Sequence, residues 1–437
     1  MQKPTIILTP EKAAISATGN HINLLVRVQA PDLSADTPHK HTPKRLSMVV
    51  DRSGSMGGKP LAEALKCVSH IAKHLTSKDQ MSLVVYDDNV DVMVPLTNLT
   101  SVNVIEDALK EVFEGGSTDL FAGWLEGAKQ LEDGNEQSIS RVLLLSDGQA
   151  NRGETRQHKI EEHCKRWNSL GISTTTVGLG RHFNEDLMIA MANAGGGQQY
   201  YGQTAEDLFD SFDEELSLLQ SMYLRKISLK LIPAPGVIIE VLSQTVKNDD
   251  GTYKMNDLAW GSESWIGVRL HLSPTAPGEV RDLLAVSIKG TFLEGVPLDM
   301  SGPMLQLPVV DDSAYFAMNS DELVVRRLLE VEFGKDSQEL RHLAKQGNRT
   351  ATYQKLAEMD QKFGEHAWLK AKLLQLHRLA EDDMEMMMKE ASYSNIRMSR
   401  RLASKSEVLY SIDETNSEMP AFLRKKESEG RGRRHHD

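Results

Sequence analysis

Oxygen donors gather at three places in this chain, each beside an apolar or glycine-rich run. In "VVDRSGSMGG" (49–58), Asp51, Ser53 and Ser55 occupy alternate positions directly after apolar residues. That spacing lets one carboxylate and two hydroxyls point to one side of a loop, while Gly54, Gly57 and Gly58 permit a tight turn into a helix. A second segment, "EGGSTDL" (114–120), sets Ser117, Thr118 and Asp119 in a glycine-rich loop that feeds a helix. The third, "LLLSDGQAN" (143–151), is an apolar strand ending in Ser146-Asp147-Gly148. Donors that are all oxygen, with neither sulfur nor nitrogen, select a hard divalent cation such as Mg²⁺, Ca²⁺ or Mn²⁺ and disfavour zinc. Read alone, the first segment is equally well a helix cap, its side chains satisfying N–H groups of a helix beginning near Pro60.

Three such segments can share a site only if the fold brings strand ends side by side. From 46 to about 219, short apolar runs alternate with helical periods. Strands are expected at 46–50, 81–86, 90–96, 141–145, 173–179 and 199–201. Helices are expected at 61–75, 104–112, 121–132, 155–170, 185–194 and 205–219, each with apolar residues three and four apart. This alternation predicts an α/β, doubly wound, mostly parallel sheet, whose ligands sit beyond the carboxyl ends of the strands. Asp87-Asp88-Asn89 between two apolar runs predicts a hairpin and hence one antiparallel edge strand.

Asp-x-Ser-x-Ser, then a threonine in a Gly-Gly-Ser-Thr loop, then Ser-Asp-Gly after an apolar strand resembles the von Willebrand factor A (VWA) family and its metal-ion-dependent adhesion site (MIDAS), over 44 to 220. The resemblance implies that Ser53, Ser55 and Thr118 are direct ligands of a divalent cation, with Asp51 and Asp147 holding it directly or through water. Ser117 is the alternative to Thr118. Asp119 is expected to cap the helix that follows. Two carboxylates and three neutral hydroxyls leave such a cation attractive to an incoming anion, so an Asp or Glu of a partner protein can complete its shell. Mg²⁺ is the expected ion, with Ca²⁺ or Mn²⁺ as alternatives. Family members that switch affinity move their last helix, here near 205–219.

The rest of the chain predicts a different texture. At 437 residues it exceeds the roughly 250 to 300 at which one core stops growing, so two or three folded units are expected. Expected boundaries are 1–43 for N-terminal strands, 44–222 for the VWA domain, 223–312 for a β-sandwich, 313–405 for a helical region and 406–437 for a disordered tail. After Met222, alternating strands broken by Pro, Gly and Asn-Asp-Gly carry no helical period. The strand at 22–30 precedes the α/β unit and is expected to join that sandwich, which leaves the VWA domain inserted within it. The order strand, VWA domain, β-sandwich is also similar to bacterial homologues of calcium-activated chloride-channel components, a likeness of architecture without the channel activity.

A formal net charge of −12 argues against nucleic acid as the main ligand. No stretch approaches the roughly 18 apolar residues of a membrane span, and "MQKPTIILTPEKAAIS" lacks a signal peptide's apolar region, so a cytoplasmic location is expected. Only Cys67 and Cys164 occur, both in helical stretches, as buried thiols rather than a disulfide. His70 and His74 stand four apart on a helix without a third ligand in the sequence pattern, and His158 and Glu162 repeat that spacing; both read as surface residues. The methionines of "DMEMMMKEAS" (383–392) read as core filler or as an adaptable groove. No Walker A loop, Gly-x-Gly-x-x-Gly or Gly-x-Ser-x-Gly stands where chemistry would need it.

The expected function is therefore a non-enzymatic, metal-dependent protein-interaction module, an adaptor or scaffold. Partner classes implied by the resemblance are MoxR-type AAA+ ATPases and protein kinase and phosphatase systems. Two alternatives stand beside it: a Mg²⁺-dependent phosphohydrolase with Asp51 as nucleophile, and partner binding through the C-terminal helices around a purely structural metal.

Overall fold

The computed structural model describes residues 2–32, 42–134, 138–147, 150–179, 184–202, 204–400 and 403–404. The expected tail at 406–437 and Gly148 of the third oxygen-bearing segment lie outside them. The chain divides into two compact units, one within Pro38–Ser221 and one built from the N-terminal strands together with the chain after Met222. Strands β1 (Thr5–Pro10), β2 (Ile15–Ser16) and β3 (His21–Gln29) come first and belong to the second of these.

The α/β unit then runs β4 (Lys44–Asp51), a single 3₁₀ turn (Gly54–Met56), α1 (Lys59–Lys73), β5 (Gln80–Tyr86), β6 (Val90–Asn98), α2 (Asn103–Lys110) and α3 (Leu120–Lys129). It continues through β7 (Ile139–Ser146), α4 (Gln157–Ser169), β8 (Ile172–Leu179), α5 (Glu185–Gly195), β9 (Gly196–Gly202) and α6 (Glu206–Gln220). Among the described residues the sheet order is β6-β5-β4-β7-β8-β9. Every neighbouring pair is parallel except β5 and β6, the hairpin pair at one edge.

Burial on both faces explains the sequence of the central strands. All eight residues of β4 and all eight of β7 are buried, as expected where helices cover a parallel sheet on both sides. Helix α3 packs close because Gly123 faces the Tyr86 ring: a Cβ at 123 would sit 2.3 Å from Tyr86 Cγ. The adjacent Trp124 is fully buried and donates its Nε1–H to Thr174 Oγ1 at 3.0 Å, so a large aromatic is accommodated without an unsatisfied donor. Asp119 caps α3 by accepting from Ala122 N, as the sequence predicts, and Asn184 caps α5 through Leu187 N. Cys67 and Cys164 are free and buried in α1 and α4, and burial pushes the Cys67 thiol up to about 12, which makes it unreactive.

After α6 come β10 (Met222–Pro233), β11 (Val237–Val241), β12 (Tyr253–Lys254), β13 (Leu258–Ala259), β14 (Ser262–Leu272), β15 (Val280–Phe292), β16 (Pro297–Ser301) and β17 (Leu305–Val310). The first sheet is ordered β1-β3-β14-β11 and the second β12-β10-β15-β17-β2. Leu24 and Val26 from the first and Leu229 and Leu284 from the second share one core, which makes this a β-sandwich. The chain leaves the sandwich after β3 and re-enters it at β10, so the α/β domain is an insertion.

Helices α7 (Asp312–Ala317), α8 (Glu322–Lys345), α9 (Arg349–Phe363), α10 (Ala367–Asp382) and α11 (Met384–Arg400) follow, with a short strand β18 (Ala403–Ser404) on β14. The first half of α8 sets Leu323, Val324 and Leu328 against Leu25 and Leu242 of the sandwich. Its second half joins Phe333 and Leu340 to the core shared with Leu356, Leu373 and Leu376. Met387 is fully buried in that core with Met384 and Met388 against it, so these methionines fill an interior rather than line a groove.

Candidate metal centre

Strand register puts Asp51 between two polar side chains. β4 and β5 align Asp51 with Tyr86, and β4 and β7 align Val50 with Leu145, so Ser146 stands one step further on beside Asp51. Asp51 is fully buried, and both its carboxylate oxygens accept hydrogen bonds: Oδ1 accepts from Ser53 N at 2.9 Å, and Oδ2 accepts from Ser146 Oγ at 2.6 Å and Tyr86 OH at 3.2 Å. Burial pushes its pKa up to about 6, the neighbouring charge of Asp147 adds to the rise, and the hydrogen bonds from Ser146 and Ser53 oppose it. A carboxylate held there gains strongly from a nearby cation.

The three segments are tied together through their backbones. Gly115 N donates to Arg52 O at 2.7 Å and Gly54 N to Gly116 O at 2.9 Å, which joins the first loop to the second. Thr118 N donates to Asn151 Oδ1 at 2.9 Å, while Asn151 N and Arg152 N both donate to Thr118 O, which joins the second to the third. Ser53 is buried and its hydroxyl lies 3.2 Å from that of the exposed Ser55. Thr118 is buried and Ser117 exposed, which separates two neighbours that the loop sequence leaves interchangeable. Asp147 is almost fully buried at the end of β7, with its carbonyl accepting from Asn184 N at 2.9 Å.

Around this sits a brace the motif does not contain. Asp87 accepts from Arg52 Nε at 3.0 Å and from Asn89 N at 2.7 Å; burial pushes its pKa up, but the Asn89 N–H and the Arg52 guanidinium outweigh that and hold it below the usual range. Arg52 also reaches Asp91 Oδ2 at 2.5 Å. Gly115 is required here, since a Cβ on it would fall 1.8 Å from Asp87 Oδ2. In the sequence, the signal for the neighbours of Asp51 is the polar residues that end otherwise apolar strands, Tyr86 and Ser146, and the signal for the brace is the acid that opens the hairpin, Asp87.

Residues 46–215 match the family model of the von Willebrand factor type A domain. The chain carries a VWA domain. Over 292 residues it is 22% identical to an uncharacterized protein of Synechocystis sp., covering 63% of this chain and 67% of that one. It is 28% identical over 189 residues to the human inter-alpha-trypsin inhibitor heavy chain H3, covering 40% of this chain and only 21% of that protein. Beyond the VWA domain, the architecture resembles that of a von Willebrand factor type A protein from Catenulispora acidiphila, with a TM-score of 0.71 and 14% identity, over 92% of this chain and 98% of that one. The ArnB paralog VWA2 from Sulfolobus acidocaldarius aligns with a TM-score of 0.55 and 15% identity, over 91% of this chain and 99% of that one. Among the described residues no helix is long and apolar enough to cross a membrane.

Proposed function

We propose that the chain is a metal-dependent protein-interaction module, in which Asp51, Ser53, Ser55, Thr118 and Asp147 hold a divalent cation and an Asp or Glu of a partner protein completes its shell. The observation that carries this reading is the joining of three oxygen-bearing loops at the ends of β4 and β7 and the start of α3. The donor set fits a hard cation: hydroxyls and carboxylates without sulfur or nitrogen, with Mg²⁺ the best match and Ca²⁺ or Mn²⁺ alternatives. Ser53, Ser55 and Thr118 would be direct ligands, and Asp51 and Asp147 would supply charge directly or through water. A cation bound there would present a Lewis-acidic position to the partner's carboxylate.

The full burial of Asp51 favours binding over phosphoryl transfer, since a nucleophile must be reachable by its substrate. An adaptor acting on an AAA+ ATPase or on a kinase and phosphatase system is compatible with this chemistry.

Affinity capture from lysate tests the reading. With Mg²⁺ present, wild-type protein should retain acidic-surfaced partners that Asp51→Ala and EDTA-treated protein release; recovery unchanged by both treatments would remove the metal from the interaction. The brace around the loops can be tested by calorimetry. Gly115→Val should drive Asp87 from Arg52 and weaken Mg²⁺ affinity by about 10- to 100-fold, the usual cost of losing an outer-shell support. An unaltered Kd would show that the loops are held without it.

A further inference from the structure

We propose that the α/β domain carries a second metal site of different chemistry, formed by His70, His74 and Asp213, which takes a borderline transition cation of the Zn²⁺ type and clips α6 to α1. His70 lies in the last turn of α1 and His74, one turn on, is its C-cap, and the fold supplies the third ligand that the local sequence lacks, from the middle of α6. One candidate ligand atom from each residue lies within 4.8 Å of the other two. Two imidazoles and a carboxylate form a nitrogen-rich set that suits zinc, cobalt or nickel and contrasts with the all-oxygen loops.

Three observations set these side chains up as ligands. His74 Nδ1 lies 2.8 Å from His70 O, and since a carbonyl only accepts, this nitrogen carries the proton and leaves Nε2 as the metal-facing atom. His74 Nε2 then faces Asp213 Oδ1 at 3.7 Å. That arrangement turns the free nitrogen of the His74 ring toward the carboxylate, where one cation can be shared between them. His70 is fixed by stacking on Phe209, with ring centroids 4.1 Å apart and planes at 6°, and its Nε2 lies 2.7 Å from Asp213 Oδ1.

That last spacing is a hydrogen bond; two ligands of a tetrahedral ion with bonds of about 2.1 Å stand about 3.4 Å apart. The required widening of about 0.7 Å falls on Asp213, which is half exposed. Near the start of α6, buried Glu63 of α1 already accepts from Ala205 N at 2.7 Å. Glu63 and His70 lie on one face of α1, with His74 at its C-cap one turn beyond His70, so a cation would pin α6 at a second level more than a turn beyond that anchor.

The test uses the full chain, stripped by chelator and then kept in excess Mg²⁺ to occupy the oxygen-lined loops. Titration with Co²⁺, followed by its visible d–d bands, should show one tight equivalent, displaced by Zn²⁺. His74→Ala and Asp213→Asn should each weaken it by at least the about 10- to 100-fold that even an outer-shell loss costs, and Asp51→Ala should leave it unchanged. Because His74 and Asp213 are exposed, circular dichroism of both variants should match wild type. Equal Co²⁺ affinity in wild type and His74→Ala would overturn the proposal, and so would a Co²⁺ signal that disappears only in Asp51→Ala. Either result would leave the three residues as a histidine–carboxylate contact, while the reading of the oxygen-lined loops would stand or fall on its own test.

Discussion

In EDTA-treated protein, Asp51→Asn should unfold at higher urea than wild type at pH 7.5, although the same substitution should abolish Mg²⁺ binding. Burial, reinforced by Asp147, raises the Asp51 pKa from 3.8 to about 6, so ionising this group in the folded chain costs on the order of 3 kcal/mol. A raised folded pKa means that the folded state binds the extra proton. The contribution to stability is therefore complete below the unfolded value near pH 4 and lost as pH rises through about 6. Asparagine preserves an acceptor for Ser53 N and offers a donor to Ser146 and Tyr86, whose hydroxyls can turn to accept. The advantage of the variant should thus reach up to about 3 kcal/mol at pH 7.5 and vanish near pH 4. Equal or lower stability at pH 7.5 would mean that Asp51 is not strained as an anion. Stability traded for a site that awaits a ligand is a recurrent pattern in binding sites.

Asp79→Ala should have the largest purely structural effect, a loss of about 3–5 kcal/mol in urea unfolding. Lys44 and Asp79 are both fully buried, and the Lys44 ammonium lies 3.2 Å from Asp79 Oδ2 and 3.3 Å from Oδ1. The same carboxylate accepts from Lys44 N at 2.8 Å and from Thr76 N and Oγ1 at 2.9 Å each, so it fastens the turn before β5 to the start of β4. Removing it strands a buried ammonium. Burial pushes the Asp79 pKa up, but the N–H groups of Lys44 and Thr76 and the Lys44 charge bring it below the usual range. Its contribution is present above the unfolded pKa and disappears as pH falls through the lowered folded value, opposite in sign to Asp51. Lys44→Met with Asp79→Leu should recover part of the loss but not all, because the Thr76 and Lys44 N–H groups remain unserved. A loss below about 1 kcal/mol for Asp79→Ala would show that water reaches the ammonium.

Much of the α/β fold was legible in the sequence because its signals are local. Short apolar runs such as "SMVV" and "RVLLLS" fit strands covered on both faces, and the helices that begin around Pro60 and after Asp119 announce themselves by proline or cap. The hairpin at Asp87-Asp88-Asn89 was equally local, and it became the antiparallel edge pair β5 and β6. The change of texture at Met222 marks the return of the chain to the sandwich.

Around the candidate centre, residue types identified the oxygen-bearing loops, but not the neighbours that set their chemistry. Tyr86 and Ser146 act on Asp51 through the register of strands 35 and 95 residues apart in sequence. Asp87 and Arg52 brace the loops through a contact that requires a glycine at 115. His70 and His74 looked like an incomplete pair, because Asp213 lies 143 residues beyond His70 and reaches it only when α6 packs on α1.

By itself, then, the sequence determined the period of each element, the caps that start its helices and the kinds of donor on each loop, since backbone preference and side-chain chemistry act over a few residues. Tertiary structure alone decided which donors meet, which carboxylate is forced toward its neutral form and which histidines gain a third partner. Those properties depend on burial and on distances of a few ångströms between segments far apart in the chain, and both arise only when strands and helices pack.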